Sequence, residues 1–109
     1  MNTITIKTHN LTGPALDWAV AKAEGYDPGW LVRQLSNPNP ETRAIPGFSA
    51  DWSVGGPIIE RVKMGVFPLA EGYGWAAGMQ SGPTPLIAAM RCYVAYVLGD
   101  TVEVPEELV

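Results

Sequence analysis

The stretch SGPTPLIAAMRCYVAYVLGD, residues 81–100, constrains the fold most because it is apolar on nearly every side. Pro85 suits the first turn of a helix, and Thr84 suits the cap position, since proline pushes the preceding residue out of the α region. Gly99 ends the apolar run, so the sequence predicts a helix over about 85–98. A helix that is apolar all round is buried by neighbours or by a partner subunit. We therefore expect the domain to be built around this last helix.

Arg91 is the one charged side chain in that predicted helix. A charge among apolar neighbours is costly unless it is paired, so Arg91 needs carboxylates or carbonyls around it. The carboxylates that lie in apolar stretches are Asp17, Asp51 and Glu60. We expect Arg91 to bond one or more of them and so tie an earlier segment to the last helix. The alternative is that Arg91 faces an anionic ligand.

Composition and charge limit the classes of function. A chain of 109 residues fits one domain, 1–109, and its net charge of −4 lacks the basic surface of a nucleic-acid binder. The acidic balance also argues against an anionic membrane surface, and no apolar run is long enough to span a bilayer. Cys92 and His9 are the single cysteine and histidine, which excludes an internal disulfide and a Cys/His metal cluster. We expect a soluble, intracellular protein without a cofactor or metal that engages neither nucleic acid nor membrane.

The remaining patterns predict a small α+β domain. TITIK at 3–7 alternates and predicts a short strand, and residues 102–104 alternate again near the end of the chain. A second main helix is predicted over about 13–24, ending at Gly25. The stretch MGVFPLAEGYGWAAGMQ predicts an antiparallel hairpin over about 64–79.

Residues 26–56 are rich in glycine and proline and predict a long irregular loop region. Within it, WLVRQL at 30–35 leaves a strand and a helical turn both open. At Pro57 we expect a helix of one or two turns, or an extended segment, to begin. Trp30 and Trp52 lie in the irregular region, so they are the more exposed candidates among four tryptophans. These tryptophans either pack a core or offer a stacking surface to a ligand.

The chain carries no recognisable motif for nucleophilic catalysis or nucleotide phosphates. His9 and Cys92 form the one possible Cys–His pair, but Cys92 lies in the apolar helix, where thiols usually serve as packing. Asp17, Asp51 and Glu60 leave open an alternative function as a carboxylate- or metal-dependent hydrolase or nuclease. Without a complete catalytic set, we favour a protein that does not catalyse a reaction.

Three blocks of the sequence resemble the NinX-like family of small proteins from tailed phages and prophages. They are LTGPALDWAVAKAEG (11–25), DWSVGGPIIER (51–61) and GPTPLIAAMRCYVAYVLGDTVEVPEEL (82–108), of which the last is the most specific. The resemblance spans about residues 7–108 and implies a phage or prophage origin and a role in the host cytoplasm. It implies no catalytic residue, because the family has no assigned activity.

The matching blocks contain polar and aromatic residues that packing alone explains only in part. We expect them to converge where the first helix, the DWSVGGP turn and the start of the last helix meet, and a helix N-terminus preceded by glycine suits an anion there. The favoured function is a phage accessory protein that binds a host protein or a small anionic, nucleotide-like ligand. Its apolar last helix also predicts a homo-oligomer. The candidate site residues are Asp17, Trp18, Asp51, Trp52, Thr84 and Arg91.

Overall fold

The structure is a computed structural model, and it describes residues 2–39 and 43–109. These residues form four α-helices and five short strands, with three of the helices and three of the strands in consecutive runs, which confirms the α+β class. The helices are α1 (Gly13–Ala23), α2 (Pro28–Leu35), α3 (Trp52–Val62) and α4 (Pro85–Leu98). The strands are β1 (Thr3–Lys7), β2 (Phe67–Pro68), β3 (Trp75–Ala77), β4 (Gln80–Gly82) and β5 (Thr101–Pro105).

The strands form two antiparallel sheets. β1 pairs with β5, so the first strand lies beside the last, with Thr5 opposite Glu103. β2, β3 and β4 form a second sheet in that order, and β2–β3 is the predicted hairpin. Gly74 closes this hairpin with φ +87°, and a Cβ atom there would lie 2.4 Å from the carbonyl oxygen of Gly82. Only glycine therefore fits this position, for both conformational and steric reasons.

Helix α4 is the centre of the packing, as its apolar sequence predicts. It contacts α1, α3, β3, β4 and β5, and its N-terminal cap is Thr84, whose hydroxyl accepts from the Ile87 N–H at 3.1 Å. Gly82 lets β4 approach α4 closely, since a Cβ atom on Gly82 would lie 2.9 Å from the Ala88 nitrogen. The buried residues of α4 are Leu86, Ala88, Ala89, Met90, Tyr93 and Val94.

The predicted irregular region 26–56 contains one complete helix. WLVRQL, which the sequence leaves open between strand and helix, lies in α2. The Asp27 carboxylate accepts from the Trp30 N–H at 2.9 Å, and Pro28 occupies the first helical position. An aspartate cap followed by proline is a strong start signal for a helix. The irregular chain in this region is therefore limited, among described residues, to 26–27, 36–39 and 43–51.

The predicted start of a helix at Pro57 is wrong, because α3 begins at Trp52. Asp51 is the cap, and its carboxylate accepts from the Ser53 N–H at 2.9 Å. Pro57 therefore lies inside α3, where it removes one helical hydrogen bond. Gly55 precedes it as a buried residue against α4. The sequence Gly55-Gly56-Pro57 does not favour a helix, but the Asp51 cap and the packing against α4 stabilise one there.

Two adjacent glycines of α3 provide a matched test of this packing. A Cβ atom on Gly55 would lie 2.4 Å from the Phe48 carbonyl oxygen and 2.7 Å from Leu86 Cδ1, so Gly55→Ala should destabilise the fold by about 1–3 kcal/mol. A Cβ atom on Gly56 meets only the Trp52 ring, at 3.6 Å. Gly56→Ala should therefore stabilise the helix by about 0.5–1 kcal/mol. Urea unfolding of both variants checks this, and equal effects of the two would contradict the packing.

Candidate functional site

Arg91 bonds main-chain carbonyl groups, so the predicted pairing with Asp17, Asp51 or Glu60 is wrong. Its Nε donates to the Leu11 carbonyl oxygen at 2.7 Å, and its Nη1 donates to the Ser81 carbonyl oxygen at 2.8 Å. These two carbonyls lie just before α1 and in β4, so one guanidinium joins both segments to α4. Burial lowers the pKa of Arg91, because no described carboxylate compensates for its lost hydration.

Asp17 bonds the irregular segment that precedes α3. Its carboxylate accepts from the backbone N–H of the buried Ser49 at 2.8 Å. Burial raises the pKa of Asp17 and outweighs the lowering effect of its hydrogen bonds to Ser49. The side chain also lines a depression with Leu35, Arg43 and other residues. Asp17 therefore holds α1 to the segment before α3, and its carboxylate is already engaged in the fold.

Asp51 and Thr84 act as helix caps. The Asp51 carboxylate accepts from both the N–H and the hydroxyl of Ser53, at 2.9 and 2.6 Å, and these bonds lower the pKa of Asp51. The Thr84 hydroxyl caps α4 in the same manner. Each oxygen satisfies an N–H group that has no partner within its helix. Both side chains therefore have a sufficient structural role without a ligand.

The two predicted site tryptophans differ in environment. Trp18 is buried in α1, and its Nε1 atom has no hydrogen-bond partner among the described residues. Trp52 is 54% exposed in the first turn of α3, where it is available for contact. Trp30, the other tryptophan expected to be exposed, is half-buried with its ring centroid 5.7 Å from that of Tyr26. Trp52 is therefore exposed as predicted, whereas Trp30 is exposed only in part.

The segments that were expected to meet do so in part. Asp17 reaches Ser49, two residues before the Asp51 cap, and the Leu86 side chain of α4 lies against Gly55 of α3. Asp17 and Trp18, although adjacent, line different depressions. Convergence of the six candidate residues on one ligand stays a prediction.

The carboxylates proposed for a metal-dependent enzyme have separate roles. Asp17 bonds Ser49, Asp51 caps α3, and Glu60 is exposed on α3. Across residues 2–39 and 43–109, no group of three histidine, cysteine, aspartate or glutamate side chains is arranged to hold a metal ion.

A polar cluster that the sequence analysis missed joins three helices. Arg61 donates to both oxygens of Glu24, at 3.1 and 2.7 Å, and the Tyr93 hydroxyl donates to Glu24 Oε2 at 2.7 Å. Arg61 Nη2 also lies 3.2 Å from the Tyr93 hydroxyl. The Arg61 bonds chiefly lower the pKa of Glu24, whereas burial and the nearby carboxylate raise the pKa of Tyr93. No local pattern reveals this cluster, because its members are far apart in sequence.

A groove of about 440 Å³ lies where the end of α3 meets α4, and we call it the α4 groove. Tyr96 is 86% exposed at its edge, and Met79, in the turn between β3 and β4, is 98% exposed. Gly78, which precedes Met79, lies against the groove wall, since a Cβ atom on Gly78 would be 2.8 Å from Cys92 Sγ. The sequence concealed this surface because α4 is apolar on every side. The groove is lined by Val62, Met64, Cys92, Tyr93 and Tyr96.

Comparison with known families decides the origin of the chain. The sequence model of a family described as bacteriophage P22 NinX matches residues 7–96. The chain belongs to the phage NinX family. This membership makes it a phage accessory protein and confirms the resemblance over most of its predicted span, 7–108. No curated protein matches the chain.

None of the helices in the described part of this NinX-family chain is long and apolar enough to cross a membrane.

Replacing Arg91 tests its carbonyl partners. Arg91→Met removes two charged donors and leaves two carbonyls unpaired, so we expect a loss of about 2 kcal/mol in the free energy of unfolding. Arg91→Lys should reduce the free energy of unfolding by less, because lysine keeps the positive charge and one group that can donate hydrogen bonds. Because the carbonyl partners do not titrate, the loss should be equal at pH 7 and pH 3.5. Urea unfolding at both values checks this, and a loss that vanishes at low pH would indicate a carboxylate partner.

The cluster around Glu24 predicts a pH-dependent contribution to stability. The pKa of Glu24 is lower in the folded protein, so its bonds stabilise the fold above the usual glutamate pKa of about 4.3. That contribution is lost as the pH falls through the folded pKa. Glu24→Gln should therefore lower Tm by several degrees at pH 7 and by progressively less below about pH 4. Glu60→Gln is the control, because Glu60 is exposed on α3 next to Arg61 and is outside the cluster. This substitution should change Tm little.

Proposed function

We propose that this NinX-family protein is a non-catalytic binding module that holds a host protein in the host cytoplasm. The α4 groove is the observation that supports the proposal. It is an apolar recess lined in part by Tyr96, whose aromatic side chain is largely exposed. Buried aromatic anchors at the centre of an apolar patch supply most of the affinity in protein interfaces.

The exposed side chains of Tyr96 and Met79 contribute little to the packing of the described residues. Tyr96 is on α4, whose other large side chains are mostly buried or half-buried, and Met79 follows Gly78, which lies close to Cys92 of the groove. Methionine adapts its shape to different partners, and tyrosine provides a large contact area with a polar tip. Contiguous apolar surface of this kind favours a protein partner.

A small anionic ligand, the other predicted partner, has less support. Arg91 directs two of its nitrogen atoms to carbonyl groups, and the Thr84 hydroxyl is engaged as a helix cap. The Asp17 and Asp51 carboxylates would repel an anion. The predicted site therefore offers little free positive charge, whereas the α4 groove needs only apolar contact.

Site-specific photocrosslinking in infected host cells tests the proposal. A benzophenone amino acid replaces Tyr96 in one variant and Val32 of α2 in the control, because Val32 is also exposed and apolar but does not line the α4 groove. We expect a discrete adduct with a host protein from position 96 and none from position 32. Adding Val62→Ser, in the lining of the groove, should reduce the adduct about fivefold, as expected when an anchor worth about 1 kcal/mol is lost.

Three other results would contradict the host-protein proposal. Equal adducts from positions 96 and 32 would indicate non-specific contact, and no adduct from either would leave the groove without a partner. Crosslinks between two copies through position 96 would assign the groove to the homo-oligomer that the sequence predicts. Native mass spectrometry of the uncrosslinked protein reports the remaining alternative, a bound small molecule of a few hundred daltons.

A further inference from the structure

Strand β1 lies at an open edge of its sheet. The sheet has two strands, and β5 is the buried one, with Val102 and Val104 packed in the core. β1, the other strand of the sheet, is largely exposed. An unpaired strand edge is a template for hydrogen bonding to another extended chain, and proteins usually cover or charge such edges.

The hydrogen bonds at the two ends of the β1–β5 ladder show which backbone groups are free. The Thr8 N–H donates to the Asp100 carbonyl at 2.7 Å, and the Glu106 N–H donates to the Asn2 carbonyl at 3.0 Å. In an antiparallel pair, bonded and non-bonded residue pairs alternate along the strand. The even-numbered residues of β1 therefore face β5.

The odd-numbered residues of β1 direct their N–H and C=O groups away from β5. These residues are Thr3, Thr5 and Lys7. The outward groups of Thr3 and Thr5 and the outward N–H of Lys7 have no backbone partner within the part of the chain that the structure describes. The Lys7 carbonyl is used differently, because Lys7 is the cap of the one-turn 3₁₀ helix Thr8–Asn10. The position of Pro105, opposite Thr3, agrees with this assignment. A proline has no N–H, so it fits a non-bonded pair of the ladder without loss.

A second groove, of about 570 Å³, adjoins this free edge, and we call it the β1 groove. It runs between β1 and the start of α1, and apolar side chains such as Ile6, Leu11 and Leu108 line it. Lys7 is the one basic or acidic side chain among the lining residues. No described carboxylate forms an ion pair with Lys7. The groove therefore combines free backbone groups, an apolar wall and a positive charge that has no ion-pair partner among the described residues.

We propose that the β1 edge binds an extended segment of a partner protein as a third strand. The segment bonds the outward groups of Thr3 and Thr5 and the N–H of Lys7, places alternate apolar side chains in the β1 groove, and presents an acidic side chain opposite Lys7. Only an extended peptide backbone offers donors and acceptors at the spacing of alternate strand residues. Residues directly opposite each other on one face of a sheet interact, so an acid beside Lys7 is favourable.

A second copy of this chain fits the edge less well. An antiparallel β1–β1 pair centred on Thr5 would place Lys7 opposite Thr3 of the second copy, which supplies no negative charge. The acidic residue of this sheet, Glu103, lies on β5 and bonds the hydroxyls of Thr3 and Thr5. Charge complementarity therefore favours an acidic segment from a different protein. This proposal does not depend on the α4 groove, which other elements form.

The test uses the full ¹⁵N-labelled chain and two synthetic hexapeptides, acetyl-Ser-Val-Glu-Val-Ser-Val-amide and its counterpart with Lys in place of Glu. We expect the Glu peptide to bind about fivefold more tightly. It should slow hydrogen exchange at the amides of Thr3, Thr5 and Lys7 but change little at Ile4 and Ile6. Tyr96→Ser, in the α4 groove, should leave this binding unchanged.

Substitutions at Thr5 separate its backbone from its side chain. Thr5→Pro removes an outward N–H and should weaken peptide binding at least about tenfold, while the inner ladder to β5 stays intact. Thr5→Val keeps the N–H and removes only the hydroxyl, so it should bind as the unsubstituted protein does. Lys7→Glu, at an exposed position, should reverse the preference so that the Lys peptide binds more tightly.

Several results would overturn the proposal. They are unchanged binding to Thr5→Pro, an equal loss in Thr5→Val, and an unaltered peptide preference in Lys7→Glu. If Thr5→Pro does not fold, the Lys7→Glu comparison decides alone. Protection of the odd-numbered amides that rises with protein concentration in the absence of peptide would assign the edge to a second copy instead.

Discussion

Close approach of the backbone to α4 is the constraint on which the rest of the fold depends. Gly55 of α3, Gly78 in the β3–β4 turn and Gly82 of β4 all lie where an added Cβ atom would come within 3 Å of α4 atoms. The distances involve Leu86, Cys92 and Ala88, which spread along the helix. Such contacts require glycine on one side and bring α3 and the second sheet to the same helix. α1 then completes the enclosure from another side.

The polar residues of the predicted site serve this enclosure. Arg91 extends from α4 to two carbonyl groups that would otherwise lack partners in irregular or strand-edge backbone. Asp17 serves the segment before α3 in the same way, through the Ser49 N–H. Each side chain satisfies backbone groups that regular structure leaves unpaired. The exposed surfaces, formed by side chains and a strand edge that the fold does not use, are therefore the stronger candidates for binding.

The parts of the fold that follow local rules could be predicted from the sequence. Periodicity and caps located α1, α4, the first and last strands, and the hairpin, since each depends on neighbours within a few residues. α3 was misjudged because its start depends on Asp51, while Pro57 suggests a later one. The partners of Arg91 could not be predicted, because a carbonyl group has no signature in the sequence.

The same limit applies to the surfaces. The cluster of Glu24, Arg61 and Tyr93 depends on tertiary contacts, and so does the α4 groove. Trp52 was predicted to be exposed because it follows an irregular segment, and that local argument was sound. Tyr96 and Met79 were missed because an apolar helix and a hairpin turn do not indicate which side remains open.

The pairing of β1 with β5 has a consequence for the order in which the protein folds during synthesis. Thr5 and Glu103 are neighbours in space but 98 positions apart in the chain. β1 leaves the ribosome before β5 and has no partner in this sheet until β5 has also been synthesised. Closing so long a loop carries a large entropic cost, and folds rich in such contacts form slowly. All four described helices lie between β1 and β5 and can form earlier, whereas this sheet can form only after β5 has been synthesised.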